Sequence, residues 1–243
     1  MKTITIALIP TLAAFAAELP STNEVISRFM EQENIRRASL NEYSVTTHYH
    51  LENKSRRADM VVRWTRQSNG MKQYRIVSEE GDGGVRSHVF HKLLEAEVAA
   101  SRSPEPERTW ITPANYDFQL MGTETVNGRE AYVLTMTPKT DAKFLTVGRV
   151  WIDARDYAAI QIEGSPARNV SFWTKSVRFV QTFEKTGDFW LVASNRSQTD
   201  AKLFGLADMS IEYSDYELTS QSRQGNSRIG RVTRNTDSLV GRN

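Results

Sequence analysis

The chain has 243 residues, no cysteine, and a formal charge of +2 from 31 basic and 29 acidic side chains. The absence of cysteine excludes disulfides, thiolate metal sites, thiol nucleophiles and an acylated cysteine. The near-neutral balance gives no global field for nucleic acid, and the length suffices for one domain held by its own core.

Residues 1–16 read as an export signal. Lys2 precedes an apolar run from Ile4 to Ala17, and Ala14-Phe15-Ala16 offers a peptidase small residues at alternate positions. The run is short and interrupted by Pro10, a poor match to a bilayer span. Residues 17–220 then form the folded domain. Ser21 or Thr22 can cap a helix over Asn23–Arg37, where Val25, Ile26, Phe29 and Met30 share a face.

Strands follow. Val45, Thr47, Tyr49 and Leu51 alternate with Thr46, His48, His50 and Glu52; Met60, Val62 and Trp64 alternate with Val61, Arg63 and Thr65. Asn69-Gly70 suits a tight hairpin turn, because both residues tolerate positive φ, and Tyr74 and Ile76 continue on the return strand. Arg86–Ala100 reads as a second helix with Val89, Leu93 and Ala96 on one face and Phe90 and Leu94 beside them. Ser101–Pro106 reads as a surface linker.

The alternation resumes at Tyr116, Phe118 and Leu120, turns at Asn127-Gly128, and returns through Tyr132, Leu134 and Met136. Val147–Ile152, Ile160 with Ile162, Val177–Phe183, Phe189–Ser197 and Leu206–Leu218 complete about eleven strands. Period-two alternation gives each strand one apolar and one wet face, the antiparallel signature, and so long an open sheet should curl. The predicted fold class is mainly β with a helical lid: a strongly curved sheet with the two amphipathic helices covering its concave side. Residues 221–243 carry Arg223, Arg228, Arg231, Arg234 and Arg242 without periodicity, and read as a basic, disordered tail.

No motif for catalysis is found: no phosphate loop, dinucleotide fingerprint or Gly-x-Ser-x-Gly elbow. His48 and His50 share a strand face, but a metal would need ligands from elsewhere; His88 and His91 lack a His-Glu-x-x-His setting. Asp153 and Asp156 bracket a turn, where an aspartate bonds its own backbone. No metal, cofactor or catalytic residue is assigned. The aromatics, including Trp64, Tyr74, Tyr132, Phe179 and Trp190, have two readings: ordinary sheet core, or the wall of an apolar cavity that takes acyl chains. Trp151 and Trp190 fall on the opposite, convex face.

Three stretches carry a family resemblance. Tyr116-Asp117-Phe118, the run Gly122-Thr123-Glu124-Thr125-Val126-Asn127-Gly128-Arg129-Glu130-Ala131-Tyr132-Val133-Leu134 with Thr137-Pro138-Lys139, and Gly148-Arg149-Val150-Trp151-Ile152-Asp153 are similar to the middle of bacterial outer-membrane lipoprotein-sorting carrier-like proteins. Phe189–Val192, Leu203–Gly205 and Ile211–Tyr216 resemble their closing strands. The resemblance implies an unclosed barrel of about eleven strands with helices across its opening. It also implies a non-catalytic periplasmic carrier or envelope-stress sensor. The partners implied are lipid acyl chains or lipoproteins, together with inner- or outer-membrane proteins. By matching position the cavity wall would comprise Met60, Val62, Trp64, Phe118, Leu120, Tyr132, Leu134, Val150 and Ile152, to which the aromatic pattern adds Tyr74 and Phe179.

Overall fold

A computed structural model describes residues 19–102, 106–141, 145–168, 174–201, 205–220 and 228–232. The expected leader, the middle of the 101–106 linker and most of the expected tail lie outside these residues. The first helix, α1 (Thr22–Ser39), starts where Ser21 Oγ accepts the Glu24 amide at 3.2 Å, the N-cap bond that satisfies an otherwise orphaned donor. The strands are β1 (Glu42–Glu52), β2 (Arg57–Arg66), β3 (Lys72–Gly81), β4 (Tyr116–Val126), β5 (Arg129–Pro138), β6 (Thr146–Asp153), β7 (Ala159–Pro166), β8 (Thr174–Thr186), β9 (Phe189–Ala201), β10 (Gly205–Ser220) and β11 (Arg228–Val232). Asn127 (φ 50°) and Gly128 (φ 76°) make the two-residue β4–β5 turn foreseen from their identity.

All strand pairs are antiparallel, in the order β3-β2-β1-β10-β9-β8-β7-β6-β5-β4. β11, inside the segment expected to be a disordered tail, pairs with Tyr216–Ser220 of β10. It takes the edge that β9 leaves after Glu212, where Asp215 adopts φ 49°.

The strongly curved barrel is not formed. The sheet is an open path ending at β3 and β4, neither closed nor strongly curled. One cross-strand row shows why. Met60, Tyr49, Ile211, Asn195, Gln181, Ile162, Val150, Leu134 and Leu120 lie opposite one another in sequence across nine strands, hence on one face. The row is apolar at both ends and polar at β9 and β8, where Asn195 Nδ2 donates to Gln181 Oε1 at 3.3 Å. A polar middle gives the two apolar ends no drive to fold onto each other.

The helices therefore do not form a common lid. Val25, Ile26 and Phe29 of α1 pack with Leu134, Met136, Val150 and Ile152 at the β4–β7 end. At the β1–β3 end the cover is a broken helix: a single turn, α2 (Gly83–Val85), a π-turn (Arg86–Phe90), then α3 (His91–Ser101). The wider π-turn spaces the buried residues five and then four apart, Val85, Phe90 and Leu94. This corrects the buried face read from the sequence: Leu93 is 40% exposed, whereas Phe90 and Leu94 are fully buried. On the opposite face Val133, Trp151, Ile160 and Trp190 form a third cluster.

Candidate cleft between the helices

The eleven residues expected to wall a single hollow are divided. Met60, Val62 and Trp64 are buried in the β1–β3 cluster, where Trp64 Nε1 donates to Tyr49 Oη at 3.2 Å. Tyr74 stacks obliquely on Trp64 and is 37% exposed on the edge strand. Leu134, Val150 and Ile152 are fully buried in the β4–β7 cluster, with Phe118, Leu120 and Tyr132 partly buried against it. Phe179 lies apart from both, half-buried on β8. These residues share a face, but most are core packed under a helix.

An open cleft of about 650 Å³ lies between the two covered ends. None of the eleven lines it. Its sheet side is formed by Ala159 and Ile162 of β7, Gln181 and Phe183 of β8, and Leu191 and Val192 of β9. Its walls come from the last turns of α1 (Phe29, Glu33, Arg36, Arg37), the C-terminal turn of α3 (Glu97, Ala100, Ser101), and the β2–β3 hairpin (Arg66, Asn69, Gly70, Lys72). Trp110 and Ile111 close one side. The hairpin turns over Gln67–Met71, where Gly70 takes φ 85° and donates its amide to Gln67 O at 2.8 Å, while Asn69 does not take the positive φ expected of it.

The rim is cationic. Arg36 grips Glu33 with Nε at 2.9 Å and Nη2 at 2.7 Å. Burial disfavours the Arg36 charge, but Glu33 outweighs it and the pKa is raised. Arg37 reaches the same Glu33 oxygen at 3.3 Å and lies over the Trp110 ring at 3.7 Å. In Arg37 burial prevails over Glu33 and lowers the guanidinium's pKa. Lys72 pairs with Glu97; burial opposes its charge, but the Tyr43 and Glu97 fields prevail and raise its pKa. Arg66 makes no ion pair or side-chain hydrogen bond among the described residues. Sequence reading missed these residues. Arg36-Arg37 sits on the wet face of α1, and only the fold brings that face beside the β2–β3 hairpin.

A larger opening of about 1070 Å³ lies over β7–β10 near the end of β1. Within its lining Gln198 donates to Asp208 at 2.9 Å, and Arg196 pairs with Glu212 beyond it at 3.4 Å. Phe179, one of the eleven expected wall residues, lines it together with Val180, Leu206 and Met209. The two histidines singled out from the sequence converge on one carboxylate: His48 Nε2 and His50 Nδ1 lie 3.2 and 2.8 Å from Asp59 Oδ1. Burial would raise the Asp59 pKa, but His50 and Arg57 hold it below the usual range. Among the described residues no group of three or more His, Asp or Glu side chains is arranged to hold a metal ion, and no helix is long and apolar enough to cross a membrane.

No protein-family model matches the chain, and no curated protein matches it. Among solved structures it is similar to a DUF1329 family protein from Desulfovibrio piger, at 12% identity over 85% of this chain and 96% of that one, with a TM-score of 0.45. It is also similar to a LolA superfamily protein from Nitrosomonas europaea, at 10% identity over 84% and 96% with a TM-score of 0.40. A third similarity is to the Mycobacterium tuberculosis lipoprotein LppX, at 12% identity over 85% and 100% with a TM-score of 0.28.

Proposed function

We propose that the protein is an exported, non-catalytic binder of acyl-bearing amphiphiles, lipids or lipoproteins, and that the cleft between α1 and α3 takes the acyl chain. One observation carries this reading. Ile162, Phe183, Leu191 and Val192 line one side of an open cleft of about 650 Å³ whose other walls come from α1, α3 and the β2–β3 hairpin. That volume lies within the roughly 300–1,000 Å³ of small-molecule sites. Each chain methylene buried there contributes about 0.8 kcal/mol. The leader read from residues 1–16 directs the protein to the periplasm. A carrier there would exchange its ligand with proteins of the inner or outer membrane.

The test is recovery of the mature protein, without detergent, from the periplasm of a double-membrane host. Native mass spectrometry and solvent extraction should find an acyl species bound. A protein that emerges empty and also fails to take up a fluorescent fatty acid would sink the proposal.

A further inference from the structure

The walls of the cleft carry cations in excess of acids. Arg36, Arg37, Arg66 and Lys72 line it against Glu33 and Glu97. Both carboxylates are engaged: Glu33 accepts two bonds from Arg36, and Glu97 is taken by Lys72. Arg37 competes for an oxygen of Glu33 that Arg36 already holds at 2.7 Å. Its Nη1 is buried and has no hydrogen-bond partner among the described residues. Buried guanidinium donors are rarely left unmade, because the lost solvation is not replaced. Stacking on Trp110 holds the guanidinium plane but supplies no acceptor. Arg66 pairs with no carboxylate among the described residues.

We infer that the ligand of this cleft carries an anionic oxygen headgroup, a carboxylate or a phosphodiester, held by Arg37 and Arg66 while its chain lies along Ile162 and Phe183. The inference rests on the acyl-binding reading above. The chemistry is complementary at both ends. A planar fork of N–H donors matches two oxygens of a carboxylate or phosphate, and the neighbouring sheet surface is apolar apart from Gln181. An anion there would also offset the burial that lowers the Arg37 pKa.

The experiment compares two probes of equal chain length, dodecanoate and dodecanol, on the mature full-length protein by calorimetry and native mass spectrometry. Dodecanoate should bind about tenfold tighter, the scale of a charge-assisted bond. Raising NaCl to about 0.5 M should weaken dodecanoate and leave dodecanol unchanged. Arg37→Gln and Arg66→Gln should each reduce the preference without changing dodecanol binding, with circular dichroism checking the fold. The salt comparison needs no variant and decides the matter if Arg37→Gln does not fold. Equal binding of the two probes, or a preference insensitive to both salt and substitution, overturns the headgroup inference and leaves the acyl reading intact. Failure of both probes to bind overturns the acyl reading and this inference with it. Dioleoylphosphatidylglycerol, run beside dodecanoate, identifies the source: the tighter ligand shows whether the anion is a phosphodiester or a fatty carboxylate.

Discussion

The two ends of the sheet bury the same kind of apolar face by different means. At the β4–β7 end a continuous, capped helix of 18 residues lays Val25, Ile26 and Phe29 on the strands. At the β1–β3 end the cover is interrupted by a π-turn, which rotates Phe90 and Leu94 inward after Val85. Between them β8 and β9 present Gln181 and Asn195 where the flanking strands present Ile162 and Ile211. The ends are thus two cores on one sheet, and the proposed cleft meets the strip between them at Gln181.

Core truncation tests that division with the largest expected effect. Leu134→Ala and Leu94→Ala, one in each end, should each cost about 2–5 kcal/mol in denaturant unfolding. Separate cores require the double variant to lose the sum to within about 0.5 kcal/mol. A larger coupling would mean that the ends share one core and that the comparison is wrong.

An ionic lock sharpens the contrast, since it belongs to the β4–β7 end. Asp153 is 1% exposed, takes Arg129 Nη2 at 2.9 Å, and accepts the amides of Arg155 and Asp156 at 3.0 and 2.7 Å. Burial would raise its pKa, but Arg129 and the two amides outweigh it and hold the carboxyl below its ordinary value. Asp153→Ala leaves Arg129 without this partner and the turn without its acceptor. It should cost roughly 2–4 kcal/mol, discounted from a fully buried pair because Arg129 is partly exposed. A depressed folded-state pKa stabilises the fold above the unfolded value of about 3.9, and the contribution is lost as pH falls through the folded value. Wild type should therefore shed this stability below about pH 4, whereas Asp153→Asn should lack that component of the acid transition. Identical acid profiles would remove the lock from the account.

The smallest effect is expected in the middle. Replacing Gln181 and Asn195 together by leucine removes both partners of one hydrogen bond, so stability should change by less than about 1 kcal/mol. A large loss would mean that the polar strip is built into the core and is not a solvated seam. A gain in dodecanol binding would fit an enlarged apolar side of the cleft.

Much of the secondary structure was legible because it depends on neighbours in sequence. Ser21 caps the first helix, Asn127-Gly128 makes the hairpin turn, and the alternation from Val45 to Leu51 and from Met60 to Trp64 marks buried strand faces. The π-turn in the second helix carries no compositional sign, so regular helical spacing puts Leu93 on the buried face that Phe90 and Leu94 occupy. The candidate cleft was not legible. Arg37 and Arg66 look like ordinary surface cations, and Phe183 looks like any strand aromatic, until the fold places them around one space.

Local chemistry by itself determined which residues make strands, turns and the first helix, and which side of each strand is greasy, since dihedral preference and side-chain period act within a few residues. Tertiary structure decided the rest: that β10 joins β1, that the sheet stays open, and that its apolar face is split by Asn195 and Gln181 into two separately covered ends. Those outcomes depend on which distant strands become neighbours. A polar residue's consequence for curvature exists only once the row across the sheet has been assembled.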